Sequence, residues 1–183
     1  MAPVFAQDAA QDTAQRTETQ QKKTPDPLPH GYGDITLGMS VGDVKDALKK
    51  NPAFGYRGDR DVSLSPGTKQ TLIETDATYA GYSYFDRCWF QFVDDKLYII
   101  TINLNQEKVD HYSVFSKLCQ KYGGPNSISP RKSQWTDDDV MMSLERPLTL
   151  KYIDAKVYNE RQDAANVEKT IGEQNRDAFL EGL

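Results

Sequence analysis

The stretch Tyr82-Ser83-Tyr84-Phe85-Asp86-Arg87-Cys88-Trp89-Phe90-Gln91-Phe92-Val93, then Asp94-Asp95-Lys96, then Leu97-Tyr98-Ile99-Ile100-Thr101-Ile102-Asn103-Leu104, reads as one β-hairpin. β-Branched and aromatic residues crowd both arms, as a pleated, half-buried surface prefers. Asp94-Asp95-Lys96 forms the expected turn. Strict alternation puts Tyr98, Ile100, Ile102 and Leu104 on one face, and Leu97, Ile99, Thr101 and Asn103 on the other. In the first arm it sets Phe85 and Trp89 opposite Tyr84, Cys88, Phe90 and Phe92. No other stretch offers a comparable core.

Working outward, residues 35–39 lead into Ser40, a good N-cap, with Asp43 three residues on as in a capping box. Val41, Val44, Ala47 and Leu48 share one helical face, and Asn51-Pro52 ends the helix because the residue before proline avoids the α region. Residues 54–71 are rich in Gly, Asp and Ser and read as a long loop holding a short strand at Val62-Ser63-Leu64; another strand is expected from Leu72. Beyond the hairpin, Asn105 is the expected cap of a second helix carrying Val109, Tyr112, Phe115, Leu118, Cys119 and Tyr122 on one face. Gly123-Gly124-Pro125 stops it. Residues 134–136, 140–144 and 148–153 read as strands. Val157, Ala164, Ile171 and Ala178, with Val167, form a thin seam on a final helix that Gly172 interrupts. The class is α+β: an antiparallel sheet with short helices on one face, in a helix-strands-helix-strands pseudo-repeat, plus a C-terminal helix.

The domain division follows: 1–31 as a signal remnant and disordered tail, 32–154 as the α+β domain, 155–183 as a polar helix. Hydrophobic residues make up 38% of the chain, and the deficit lies in the termini. Residues 7–29 carry almost nothing apolar enough to anchor them, so nothing before Pro29 is expected to pack on the domain. Pro25-Asp26-Pro27-Leu28-Pro29 is a stiff linker. Ala2-Pro3-Val4-Phe5-Ala6-Gln7 is like the end of a secretory signal peptide, so export to the periplasm or beyond is expected. Formal charge is −5, which argues against nucleic acid, since phosphate binding needs a basic face. No apolar run approaches the ~20 residues of a membrane helix.

Ile35-Thr36-Leu37-Gly38-Met39-Ser40, followed by Val41, Val44 and Leu48, resembles the opening of BamE/SmpA-like domains. The alternation with a second helix ending in Tyr122-Gly123-Gly124-Pro125 is similar to the tandem repeats of β-lactamase-inhibitor-like proteins. The resemblance spans roughly residues 34–154. It implies a small exported module that binds other proteins without catalysis; it carries over no binding residue, and there is no lipid-acceptor Cys near the start.

No catalytic constellation stands out. His30 sits in the linker and His111 on the second helix, neither with a second His or Cys at metal-ligand spacing. His111 and Cys119 lie eight positions apart, more than ten ångströms along a helix rising ~1.5 Å per residue, too far to act as a nucleophile–base pair. Cys88 and Cys119 form a disulfide if the second helix covers the central strand in an oxidising compartment; two buried thiols acting as small hydrophobes is the preferred reading. Arg57-Gly58-Asp59 spells an integrin-recognition tripeptide, a short match that arises readily by chance. Asp59, Asp61, Asp94, Asp95 and Asp137 to Asp139 fit no twelve-residue Ca²⁺ loop and read as turn formers. No metal or cofactor is expected.

Aromatics are the remaining signal. Tyr79, Tyr82, Tyr84, Phe85, Trp89 and Tyr98 exceed what one core face requires and form the candidate partner-binding surface. The expected function is a non-enzymatic, exported protein-binding or structural module of the bacterial cell envelope. The first alternative is a periplasmic small-ligand binder with a pocket beneath residues 54–71, which a deep apolar cavity there would mark. The second is an enzyme using carboxylates alone, which two cleft carboxylates with raised pKa values would mark.

Overall fold

Two helix-plus-meander halves meet edge to edge at the centre of one sheet. The computed structural model describes residues 24–58, 61–63 and 69–181, the side chains of 61–63 and of several positions in the last helix excepted. A short ribbon, β1 (Gly31–Tyr32) and β2 (Ile35–Thr36), precedes α1 (Val41–Lys50) and a single 3-10 turn, Pro52–Phe54. Strands β3 (Asp61–Ser63), β4 (Gln70–Asp76), β5 (Phe85–Val93) and β6 (Lys96–Leu104) complete the first half. The second half runs α2 (His111–Tyr122), β7 (Ser127–Ile128), β8 (Lys132–Thr136), β9 (Val140–Glu145) and β10 (Thr149–Asp154); α3 (Ala155–Glu181) follows. Among the described residues the sheet has eight strands in the order β3-β4-β5-β6-β10-β9-β8-β7, all neighbours antiparallel. Each half ends on the strand that joins the other, with Lys151 opposite Thr101. The helix-strands pseudo-repeat is thus the architecture.

The hairpin turn is tighter than the three residues expected. Lys96 pairs with Val93, leaving Asp94 and Asp95, both left-handed (φ 49° and 63°). A two-residue turn of this hand matches the right-handed strand twist, and Asp tolerates it better than most side chains. Asp95 also anchors the first helix. Its carboxylate accepts from Val41 N–H at 3.1 Å, fixing the start of α1 to the hairpin tip.

Two register shifts overturn the strict alternation. One falls between Gln91 and Phe92, so that Phe92 opposes Leu97 while Gln91 opposes Ile99. Leu97 therefore joins Ile100 and Ile102 in the core, and Tyr98 turns to the other face, where its ring lies 5.5 Å from the Arg161 guanidinium. The other falls between Phe85 and Cys88. Phe85 consequently stands inside, with Phe54 at 4.9 Å and Tyr32 at 5.3 Å between ring centroids. A bulged strand inserts one unpaired residue and resets the period of two.

Both short helices cover the same face: Val44 and Leu48 of α1 and Leu118 of α2 belong to one core with Phe90, Ile100, Met142 and Leu150. Ser40 caps α1, accepting from Asp43 N–H at 3.1 Å. The cap of α2 is Asp110 and not Asn105. Asn105 instead turns the preceding loop, accepting from Glu107 N–H at 2.9 Å. Gly123 closes α2 at φ 80°, its N–H bonded to Cys119 O at 3.0 Å. Contrary to expectation, part of the linker packs: Asp26 N–H donates to Lys121 O at 2.8 Å and Leu28 rests on the core. One main-chain bond and one leucine suffice where composition alone gave no anchor. The earlier tail, 1–23, lies outside the described residues. Of the α3 seam, Val157 is half-buried and Ala164 exposed, while the side chains of Val167, Ile171, Gly172 and Ala178 lie outside the described residues.

Candidate functional site

A groove of about 730 Å³ opens on the helix-covered face where the halves join. Phe85, Leu104, Leu150 and Tyr152 form its floor; Val109, just before α2, with Val114 and Leu118 of α2 forms one wall, Tyr32 and the 82–84 loop the other. It exists because α1 and α2 each cover their own half, leaving the seam between them roofless. The loop wall is fixed by side-chain bonds. Ser83 Oγ donates to Ala53 O at 2.6 Å, and Lys108 Nζ donates to Gly81 O and Ser83 O, each at 2.6 Å. Gly55 permits this packing: it is left-handed (φ 64°), and a Cβ there would meet Asp76 O at 2.2 Å.

Three phenols converge in this apolar groove. Tyr152 is 4% exposed, and its hydroxyl makes no hydrogen bond to a described residue. Burial, with the nearby Tyr122 and Tyr32 phenols, pushes its pKa above the ordinary phenol range, so it stays a neutral donor. A buried tyrosine hydroxyl ordinarily finds a partner. Lys117 and Lys121 stand on the rim, the latter 5.2 Å from the Tyr122 ring.

The sequence candidates divide among three places. Tyr82, Tyr84 and Phe85 line the groove, Phe85 as floor and the other two exposed at 64% and 60%. Tyr79 lies outside it at 79% exposure, with Arg57 stacked 5.4 Å above its ring. Trp89 and Tyr98 belong to the opposite sheet face, Trp89 half-buried across from Thr101 and Tyr98 beneath Arg161. Tyr122 is read from the sequence only as part of the α2 face, and Tyr32 and Tyr152 are not among its candidate aromatics; a tyrosine at a core position of the last strand is the available signal for Tyr152. No described residue of 54–71 lines the groove, and residues 59–60 and 64–68 lie outside the described residues.

Both cysteines are free thiols. Cys88 is fully enclosed, and burial pushes its thiol up to about 12, the Thr75 hydroxyl only partly offsetting this. Cys119 is half-buried, its thiol also raised by burial. Among the described residues, the carboxylates with displaced pKa values, Asp110 and Asp139, both move down, opposite to what a general acid needs. Asp110 is held by hydrogen bonds from Ser113 and Asp139 by Lys156 at 2.6 Å. Asp137 serves its own turn, accepting from Asp139 and Val140 N–H. Asp59 and the Asp61 side chain lie outside the described residues. No three His, Cys, Asp or Glu side chains gather among the described residues, and none of their helices is long and apolar enough to cross a membrane.

A family model, the TP0088 domain, matches residues 30–164. The chain belongs to the TP0088 domain family. The matched span begins where the chain enters β1 and runs into the first turns of α3, the part that reaches Tyr98 through Arg161. The whole groove of this TP0088 domain, Pro29 excepted, falls within the match. No curated protein and no solved structure matches the chain.

Proposed function

We propose that this TP0088 domain is a non-catalytic, exported protein-binding module of the bacterial cell envelope, and that the groove between its halves receives an apolar segment of a protein partner. The observation that carries the reading is the groove itself: apolar walls, exposed Tyr82 and Tyr84 at the lip, a lysine rim, and on the floor the Tyr152 phenol, whose hydroxyl bonds to no described residue. Binding surfaces combine apolar anchors with a few placed polar groups, and tyrosine offers both at low entropic cost. Resemblance of residues 35–48 to the BamE/SmpA-like opening and the signal-like start support the envelope setting.

A small-ligand reading rests on the same Tyr152 hydroxyl, because about 730 Å³ is within the range of small-molecule sites. Panning a displayed peptide library against the wild type and against Tyr84→Asp separates the two. Enrichment of apolar peptides by the wild type alone supports the protein-binding reading. An organic molecule retained in native mass spectrometry, with no enriched peptide, supports the small-ligand one. Neither result would contradict both.

A further inference from the structure

A second cleft, away from the groove, brings Arg131, Lys132 and Arg146 together in a chain of net charge −5. Two turns and the start of α2 meet at the far ends of β8, β9 and β10. Arg146 N–H donates to Arg131 O at 2.8 Å, which sets the turn after β9 beside the turn before β8. Both arginines, with His111, line a cleft of about 510 Å³ and the adjoining one. Lys132 adds a third cation to the first.

None of the three cations forms an ion pair with a described carboxylate. Asp110, the carboxylate in the cleft, is taken by Ser113, from its N–H at 2.9 Å and its hydroxyl at 2.6 Å. Glu145, the cross-strand partner of Lys132, is held by Lys151 at 2.7 Å. Burial and Arg146 both lower the His111 pKa, leaving an uncharged ring able to donate or accept. The end of α2 itself adds little, since Asp110 already caps it.

The backbone bond holds two arginines on adjoining turns at one cleft, where an anion can draw on both, and the planar fork of arginine suits carboxylate and phosphate oxygens. Beside them the wall turns apolar: Tyr112 and Ile128 are 75% and 68% exposed, with Phe115 behind. We propose that this cleft is a binding site for an oxyanion, a carboxylate or phosphate group, carried on an aromatic or aliphatic body that seats against Tyr112 and Ile128.

The test titrates the full chain with phenylacetate, phenyl phosphate, inorganic phosphate and benzyl alcohol, followed by amide chemical shifts. The two phenyl oxyanions should saturate, with shifts centred on residues 111, 131 and 146, and weaken as salt rises. The tighter of them identifies the oxyanion class. Inorganic phosphate should bind more weakly and benzyl alcohol not at all. The double variant Arg131→Gln/Arg146→Gln, both residues exposed, should lose about tenfold or more in affinity while its melting temperature holds. Tyr84→Asp should leave the titration unchanged, which separates this site from the groove. Equal affinity in the double variant, binding of benzyl alcohol as tight as phenylacetate, or no saturable shift with either phenyl oxyanion would overturn the proposal.

Discussion

Replacing Trp135 by alanine is expected to cost this domain about 3–5 kcal/mol, the range for truncating a buried tryptophan. Trp135 is 1% exposed on the core face of β8, with Met142 opposite and the Phe115 ring of α2 at 6.1 Å. Its indole N–H donates to Gly123 O at 2.9 Å, so the same side chain ties the sheet to the end of α2. Alanine leaves a cavity and removes the donor to that carbonyl. Since single domains are stable by only ~5–15 kcal/mol, a loss of this size is a large share of the total. Trp135→Phe keeps most of the packing and should cost about 1–2 kcal/mol, chiefly the hydrogen bond. Urea unfolding of both variants measures this. A loss below about 1 kcal/mol for alanine would mean that α2 is held by something other than this anchor.

The second large effect is alkaline. An unfolded Cys88 ionises near its ordinary value of 9.0, whereas burial holds the folded thiol protonated up to about 12. Between these values the unfolded state binds fewer protons than the folded one, so stability falls as pH rises. Each pH unit between the folded and unfolded pKa values is worth ~1.36 kcal/mol, so Cys88 alone removes about 4 kcal/mol by the upper end of that window. Its contribution is fully present below pH 9. Tyr152, whose phenol is also raised, acts in the same direction. Denaturation midpoints at pH 8, 10 and 11 should fall steeply for the wild type and less steeply for Cys88→Ala. Equal slopes in the two proteins would show that Cys88 ionises as readily folded as unfolded. The same burial predicts that thiol reagents modify Cys119 in the native protein and reach Cys88 only after unfolding.

Local physics made much of the fold legible. The Ser40 cap, the Asn51-Pro52 stop and the glycine close of α2 each depend on a few neighbouring residues, and each forms as read. The hairpin was legible for the same reason. What alternation could not reveal was where its period resets: neither bulge carries a glycine to mark it, so Phe85 and Tyr98 were assigned to the wrong faces. Asn105 and Asp110 are both competent caps, and only the path of the intervening loop decides between them. The groove was harder still. Its residues come from the linker, β1, loops, three further strands (β5, β6 and β10) and α2, and no spacing in the chain brings Tyr32, Tyr122 and Tyr152 together. Three of the six aromatics read as a binding surface do line it, Tyr82 and Tyr84 because loop 82–84 carries them there and Phe85 because the bulge turns it inward. The pairing of Arg131 with Arg146 continues the β8–β9 ladder one step past Lys132 and Glu145, so it depends on the register of that hairpin, which alternation alone does not give.

Whether the groove between the halves receives a protein segment can be read by site-specific photo-cross-linking in the cells that make the protein. A photoreactive residue would replace Tyr84 or Lys117 at the groove lip, and Gln91 on the opposite sheet face as control. One discrete protein adduct is expected from both groove positions, abolished by Leu150→Arg on the groove floor in a variant that still folds, and none from Gln91. Adducts that are absent at the groove, or equally strong from Gln91, would contradict binding in the groove.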